Sequence, residues 1–474
     1  MAVSLRFCLG LFTTWAVLAC GILAAQPNGQ SRDLEQSFQT AVADYNAGHF
    51  AQAASKLETL LPRAPNSFDV HELLGLVYSA ESQDAKATEH LLKAVSLNPA
   101  SAAARTNLAA NLVRRKKLDL AEFQFAKAVE LEPNNFDANH DLGELYIQRG
   151  KLQQAAESLA TAQKIKPGSY DNGYDLARAY LLTRQTNEAR ETIGSLIAKK
   201  NTAELHNLLA EVEEKEGKFV AAANEYETAA HMEPSESNLF DWGSELLVHR
   251  TLDPSVEVFQ KATELYPKSA RLAVGLGMAL YARGNYEDAV KSLLRAADLN
   301  PSDPGCYLFL SRAYDSSPNQ ADEVMERFRR YAQLYPRNPR ALYYYAMSLW
   351  KGKRAQQTDQ DLSEIAKLLK SSIALDNKFA EAHLQLGNLY SDQKQYAAAI
   401  PEYMEALTQN PDLADAHYRL GQAYVRTGDR QAAQQQFDVY QKLRTQHLAG
   451  LDQQKAEIRQ FVYSAKNASP AKSE

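Results

Sequence analysis

Cysteine is scarce in this 474-residue sequence, which contains three, and Cys8 and Cys20 both lie within the first 25 residues. The remaining Cys306 has no second cysteine in the body of the chain with which to form an internal disulfide. This excludes the disulfide-stapled class, so stability must come from packing. Cys306 lies in an apolar run, which predicts a small buried side chain rather than a reactive thiol.

A surplus of positive charge is also missing. Lysine and arginine number 52 against 58 aspartates and glutamates, which gives a net charge of −6. Proteins that bind nucleic acids generally do so through a large positive surface. We therefore expect no nucleic-acid partner.

Long hydrophobic runs are absent after the first 25 residues. Within them, Arg6 is the only charge and residues 7–25 are apolar or small. This pattern is typical of a secretory signal peptide, predicted at residues 1–25 with cleavage near Ala25. Two alternatives stay open: the run is long enough for a membrane anchor, and Val-Leu-Ala-Cys ending at Cys20 resembles a bacterial lipobox. The protein is predicted to be exported, periplasmic or secreted, with membrane contact only through such an anchor or a lipid on Cys20.

Sequence motifs for catalysis are lacking as well. The chain has no Gly-x-x-x-x-Gly-Lys phosphate loop, no Gly-x-Ser-x-Gly elbow and no His-x-x-x-His pair. These spacings matter because they bring phosphate-binding amides, a strained nucleophile or two zinc ligands to one place. We therefore expect no cofactor, no metal site and no enzymatic activity.

What the sequence does contain is a repeat. Prolines 65, 99, 133 and 167 are spaced by 34 residues, and prolines 234, 267, 301 and 336 follow at spacings of 33, 34 and 35. Small residues keep the same period. Alanines precede the prolines, and Leu-Gly or Leu-Ala pairs occur earlier in each unit, for example Leu74-Gly75, Leu142-Gly143, Leu176-Ala177, Leu386-Gly387 and Leu420-Gly421.

These positions indicate two helices per unit. Apolar residues at helical spacing form a stripe on a first helix, and glycine or alanine beside it lets a second helix approach closely. Glycine in the intervening turn, as at Gly150 and Gly217, can adopt the positive φ that ends a helix. Proline cannot continue the second helix. Each unit is thus predicted to be a helical hairpin that buries its stripe only against its neighbours.

A 34-residue helix–turn–helix unit with this pattern resembles the tetratricopeptide repeat (TPR). The resemblance covers residues 34–440 in about twelve units. Units 170–202, 304–337 and 338–378 depart from it, the last through an insertion around residues 351–361. Residues 441–464 are predicted to form a capping helix and residues 465–474 a disordered tail. Four histidines fall at one repeat position where the family usually has a packed aromatic, which predicts packing rather than metal binding: His71, His206, His383 and His417.

The resemblance implies an all-α fold, a right-handed α-solenoid whose first helices line a concave binding face. Carried onto this chain residue by residue, that face includes His140, Glu144, Tyr174, Arg178, Asn207, Glu211, Asn388, Tyr418 and Gln422. Polar side chains with scattered aromatics suit other proteins or extended peptides. The resemblance therefore implies a protein-interaction scaffold or adaptor of the bacterial cell envelope. The alternative is a glycan- or peptidoglycan-binding accessory protein that uses tyrosines as stacking platforms.

A second candidate surface comes from composition. Residues 323–357 contain eight lysines or arginines and two glutamates, together with several tyrosines. Arginine and aromatic residues together are enriched in interface hot spots. We name Arg327, Arg330, Arg337 and Tyr343 the basic-aromatic patch and predict that it docks an acidic partner. The competing interpretation is that the tyrosines pack within helices while the charges are solvated.

Overall fold

The computed structural model describes residues 29–446, apart from 319 and 353–357, together with residues 459 and 460. Within these residues all regular structure is helical and no strand occurs. The chain divides into two compact units, one ending at Lys218 and the other beginning at Phe219. The all-α solenoid class is confirmed, and the 24 helices of the described residues are the number that about twelve helical pairs require.

The first unit contains five hairpins followed by one further helix. Their bounds are α1 Gly29–Asn46, α2 Phe50–Leu60, α3 Phe68–Ala80, α4 Asp84–Leu97, α5 Ala102–Arg114, α6 Leu118–Leu131, α7 Phe136–Gln148, α8 Leu152–Ile165, α9 Tyr170–Leu182, α10 Thr186–Ile197 and α11 Ala203–Lys215.

The second unit begins with one helix and continues with six hairpins. Their bounds are α12 Phe219–Met232, α13 Glu236–Val248, α14 Leu252–Leu265, α15 Ala270–Arg283, α16 Tyr286–Leu299, α17 Pro304–Ser316, α18 Ala321–Leu334, α19 Pro339–Gly352, α20 Asp359–Leu375, α21 Ala380–Asp392, α22 Tyr396–Gln409, α23 Ala414–Thr427 and α24 Arg430–Gln446.

The first helix of each hairpin begins just after the repeating proline. Two residues beyond the proline, the side chains of Ser67, Ser101 and Asn135 accept a hydrogen bond from the backbone N–H three residues on. This N-cap satisfies a donor that the first turn of a helix leaves without a partner. A proline followed by a capping residue therefore ends one hairpin and starts the next.

Each hairpin turn that lies wholly within the described residues contains one residue in the left-handed region. Glycine occupies it at Gly150 (φ 72°) and Gly284 (φ 91°), as the sequence predicts. Other hairpins have Ser82 (φ 59°), Lys116 (φ 58°) or another non-glycine residue at this position. The same turn geometry thus forms where the sequence offers no glycine signal.

The core is a row of small residues facing large ones across each hairpin. A Cβ added at Gly143 would lie 2.5 Å from Leu159 Cγ, and one added at Gly387 would lie 2.6 Å from Tyr403 Cε1. Only glycine leaves room for this approach of α8 to α7 and of α22 to α21. The alanines that precede the prolines are equally close-packed, and Ala87, Ala121 and Ala155 are fully buried. The predicted role of the small residues is confirmed.

Several predicted segments fall outside the described residues. These are the signal at 1–25 with Cys20, the tail at 465–474, residues 353–357 of the insertion, and residues 447–458 and 461–464 of the capping segment. Residues 441–446 are the last turns of α24. Among the helices of the described part, none combines the length and apolar character that a membrane span requires.

Candidate functional site

The residues predicted to line a binding face lie on the first helices of their hairpins. On α7, α9, α11 and α23 they come in pairs four positions apart, namely His140 and Glu144, Tyr174 and Arg178, Asn207 and Glu211, and Tyr418 and Gln422. Residues four apart lie on the same face of a helix. Because α7 contacts α9 and α9 contacts α11, the pairs of the first unit form one continuous surface. We call the surface that these first helices share within each unit the first-helix face.

The accessibility of these side chains is uneven. Glu211, Tyr418 and Gln422 are exposed, whereas His140, Glu144, Tyr174, Arg178 and Asn207 are partly buried. Asn388 differs from all of them, since it is only 8% exposed and its Oδ1 accepts a hydrogen bond of 2.9 Å from the hydroxyl of Tyr403. The structure therefore places Asn388 inside its hairpin.

Carboxylates that the sequence did not single out crowd the first-helix face of the first unit. Asp141 on α7 and Asp175 on α9 are 34 residues apart, so the repeat stacks them beside Glu144. Burial, followed by the charges of Asp175 and Asp141, raises the pKa of Glu144 to about 8. Burial and the neighbouring Asp137 raise the pKa of Asp141 to about 7. The 34-residue spacing is the signal that could have identified this cluster.

A similar group lies earlier in the same unit. Glu72 on α3 is only 5% exposed, and Asn107 on α5 donates a long hydrogen bond of 3.4 Å to its Oε1. Burial and the charge of Asp69 raise the pKa of Glu72 to about 7. The first unit thus holds several carboxylates without enough positive charge to balance them.

The second unit uses arginine on its first helices. The guanidinium of Arg271 on α15 lies 3.7 Å from the centre of the Phe240 ring on α13, and its NH2 atom lies 3.7 Å from Asp241 Oδ1. Burial is the largest cause of its shift and lowers the pKa of Arg271. Arg340 on α19 is placed over the ring of Phe379 in the same manner, at 5.6 Å.

The basic-aromatic patch does not present one surface. Arg327 and Arg330 both pair with Asp298 on the preceding hairpin, at 2.8 Å and 3.0 Å. Tyr343 is partly buried and packs against Phe379, with ring centres 5.0 Å apart. Arg337 is exposed and borders a concavity lined by residues 334–340. Of the four side chains, Arg337 is the most accessible to a partner.

Three of the four histidines at the shared repeat position pack and hydrogen-bond inside the hairpins, whereas His206 is half-buried and its Nε2 lies 2.8 Å from Asn201 Oδ1. His71, His383 and His417 are 7%, 7% and 9% exposed. In each, Nε2 lies next to the carbonyl oxygen six residues earlier, at 3.1 Å, 3.3 Å and 2.9 Å. Nδ1 reaches a side chain on the second helix, which is His90, Glu402 or Gln436. These histidines therefore join each hairpin to the turn before it.

Repeated helical hairpins that bury a shared core and expose a polar first-helix face define an α-solenoid repeat protein. Sequence profiles described as tetratricopeptide repeat match residues 38–102, 112–165, 147–212, 240–304 and 414–444, and one described as TPR repeat matches residues 387–428. Together these spans cover more than half of the chain. The chain belongs to the tetratricopeptide repeat family.

Relatives of known name match only in part. Mouse protein O-mannosyl-transferase TMTC3 is 24% identical over 192 residues, which is 38% of this chain and 20% of that protein. The TPR repeat-containing protein YpiA of Bacillus subtilis is 24% identical over 189 residues, or 40% of this chain and 42% of that protein. The chain therefore spans about a fifth of the first relative and less than half of the second.

Two solved structures align with this chain at low sequence identity. The Naa15/Naa10 complex bound to HypK-THB aligns with a TM-score of 0.38 and 15% identity, over 90% of this chain and 73% of that one. PilF of Pseudomonas aeruginosa aligns with a TM-score of 0.39 and 20% identity, over 44% of this chain and 95% of that one.

Proposed function

We propose that this chain is a non-enzymatic scaffold of the bacterial cell envelope that holds other proteins or extended peptides against its first-helix face. Tetratricopeptide repeats serve as protein-interaction scaffolds. The relatives named as O-mannosyl-transferases are matched over about a fifth of their length, so no transferase activity is proposed here.

The observation that supports the proposal is that a first helix buries its apolar side and leaves a polar side accessible. In α23, Ala416, Leu420 and Ala423 are at most 2% exposed, while Tyr418 and Gln422 on the same helix are accessible. The apolar side packs against neighbouring helices, so the accessible side is available to bind a partner protein or peptide. Amide, carboxylate and phenol groups there can donate to and accept from a peptide backbone.

The charge of the first unit argues for a protein guest over a nucleic acid. Asp141, Glu144 and Asp175 lie together on α7 and α9, with Arg178 as the cation 3.6 Å from Asp175. Phosphate binding needs a surplus of positive charge, and the carboxyl groups named here outnumber the one cation beside them.

The test is affinity capture from the envelope of the source cells with two variants of the first-helix face, Glu211→Arg and Gln422→Arg. Each has a control with the same introduced residue on an exposed second-helix position, Glu191→Arg on α10 and Gln435→Arg on α24. We expect the face variants to lose partners that the wild type and the controls retain. Recovery of the same proteins by all four variants would refute the proposal.

The proposed location depends on residues 1–25. Cell fractionation of the chain with and without this segment tests export, and Cys20→Ser separates a lipid anchor from simple cleavage. We expect the full chain in the periplasm or medium and the truncated chain in the cytoplasm. A truncated chain that reaches the same compartment would contradict the predicted signal.

The glycan-binding alternative has one specific observation in its favour. Tyr418 is 37% exposed, and its ring lies 5.1 Å from that of Tyr440 and 5.9 Å from that of Phe437. Exposed aromatic rings of this kind can stack on sugar faces. Binding on a glycan array that disappears in Tyr418→Ala would favour this alternative over the peptide scaffold.

A further inference from the structure

Three side chains with metal-ligand chemistry converge on α7. Each of His140, Asp141 and Glu144 offers one ligand atom, and these atoms all lie within 4.8 Å of one another. Ligand atoms that share an ion at ordinary nitrogen and oxygen bond lengths lie roughly 3 to 4.4 Å apart. Small rotamer changes therefore bring all three atoms onto one ion.

A buried neighbour fixes the tautomer of His140. Asn172 on α9 is fully buried, and its amide nitrogen lies 3.0 Å from the carbonyl oxygen of Leu159 and 2.7 Å from Gln163 Oε1. A backbone carbonyl only accepts hydrogen bonds, so the amide nitrogen must be the donor there. Asn172 Oδ1 is then the atom that faces His140 Nδ1 at 3.1 Å, and it accepts the Nδ1 proton.

In the neutral imidazole the second ring nitrogen, Nε2, carries the lone pair that a metal ion would bind. Nε2 lies 3.9 Å from Glu144 Oε1, too far for a hydrogen bond. The ring is held in place by stacking on Phe136, with centres 5.6 Å apart and planes 10° apart. A histidine whose other nitrogen donates to a protein oxygen is the usual arrangement of a metal ligand.

The surrounding charge has the sign that a cation needs. Glu144 also interacts with Asp175 and Asp171 on α9, and a hydrogen bond joins Glu144 to Asp175. The nearest paired cation is Arg178, 3.6 Å from Asp175. Carboxylates therefore outnumber cations around these three side chains.

We propose that His140, Asp141 and Glu144 bind one divalent transition-metal ion between α7 and α9, with Asp175 adding negative charge beside it. The single imidazole nitrogen among oxygen ligands favours an ion such as Zn²⁺ over Mg²⁺, which prefers oxygen alone. Sequence motifs do not reveal this site because a His-Asp-x-x-Glu run is not a known zinc spacing. The site belongs to the first unit alone.

Calorimetric titration of the full chain with Zn²⁺, after treatment with EDTA and its removal, tests the proposal. We expect one site, with Zn²⁺ binding at least tenfold tighter than Mg²⁺ binding. His140→Ala should weaken Zn²⁺ binding at least tenfold, and Glu144→Gln should weaken it as well.

The matched control is His231→Ala. His231 and Glu227 form a similar pair four residues apart, with Nε2 3.5 Å from Oε1, but side chains 63% and 45% exposed. This variant should bind Zn²⁺ as the wild type does. The proposal is overturned if the wild type shows no binding at millimolar Zn²⁺, or if binding survives both His140→Ala and Glu144→Gln. Binding lost in His231→Ala instead would assign the ion to the exposed surface and would also refute it.

Discussion

In the first unit the half-buried charges on the first helices are mainly carboxylates, whereas in the second unit arginines stack on aromatic rings. Burial, followed by the charges of neighbouring carboxylates, raises the pKa values of Glu144 and Glu72. Arg271, by contrast, has Phe240 beneath its guanidinium and Asp241 beside it. One repeat scaffold thus supports two chemically different faces. The difference resides in the side chains that the shared packing leaves accessible.

The core packing of a hairpin should respond in the same way in both units when alanine replaces a close-packed glycine. Gly143→Ala and Gly387→Ala would place a Cβ 2.5 Å and 2.6 Å from buried atoms of the second helix. We expect each to cost about 3 kcal/mol through overpacking. Hydrogen exchange of the amides in the affected hairpin measures the loss.

Gly194→Ala is the control for these two variants, because a Cβ there meets nothing within 4 Å in the exposed part of α10. It should raise local stability by about 0.5–1 kcal/mol through better helix propensity. If Gly143→Ala lowered local stability no more than Gly194→Ala does, the result would contradict the close approach of α8 to α7.

Replacing Arg271 should destabilise the second unit. Arg271→Ala takes away the cation over Phe240 and leaves Asp241 half-buried beside an apolar gap. We expect a loss of about 2 kcal/mol in α13 and α15, somewhat below the usual cost of breaking a fully buried pair. Arg283→Ala, whose partner Asp253 is 78% exposed, should change stability by less than about 0.5 kcal/mol. Equal effects of the two variants would argue against the stacked arrangement.

Replacing the carboxylate of Glu144 with an uncharged side chain should stabilise the first unit. Folded Glu144 holds its proton up to about pH 8, while an unfolded glutamate loses it near pH 4.3. Stability contributed by this group is therefore full at low pH and falls as the pH rises toward 8. With EDTA present, Glu144→Gln should stabilise α7 and α9 by about 1–2 kcal/mol at pH 8 and by almost nothing at pH 4. A destabilised variant at pH 8 would contradict the charge imbalance.

Two hairpins that contain buried or half-buried histidines should respond to pH with opposite signs. Glu402 is the main cause that raises the pKa of His383, so its contribution is present below about pH 6.5 and is lost as the pH rises through the folded value. Burial lowers the pKa of His90, the partner of His71, so acid weakens α3 and α4 as the pH falls below about 6.5.

Variants at the partner positions make this contrast measurable. Glu402→Gln should cost about 1 kcal/mol at pH 5.5 and almost nothing at pH 8. His90→Gln should make α3 and α4 less sensitive to acid than the wild type. Amide exchange, corrected for its intrinsic pH dependence, measures both. The same pH response in both hairpins would show that the partner side chain does not set the sign.

The sequence predicts the architecture well because repetition averages out local ambiguity. The 34-residue period, the proline stops and the glycine at Gly143 each report a packing need that recurs along the chain. Turns at Ser82 and Lys116 escaped prediction because their left-handed residues are not glycine. At these turns the packing of the two helices imposes the left-handed conformation on residues that do not favour it.

The site was harder to predict because exposure depends on neighbours. Asn388 turns inward because Tyr403 on the second helix of its hairpin supplies a hydroxyl within reach. Arg327 and Arg330 look unpaired in the sequence, but both form ion pairs with Asp298 on the preceding hairpin. Asp141 and Asp175 look like ordinary surface charges until the stacking of α7 on α9 brings them together.

The most direct test of the central claim is photo-crosslinking in the source cells with a benzophenone amino acid placed at position 422 or at position 435. Both positions are exposed, the first on the first-helix face of α23 and the second on α24. The account predicts a discrete crosslinked protein from position 422 and none from position 435. Crosslinking from position 435 alone, or equally from both, would contradict a guest held on the first-helix face.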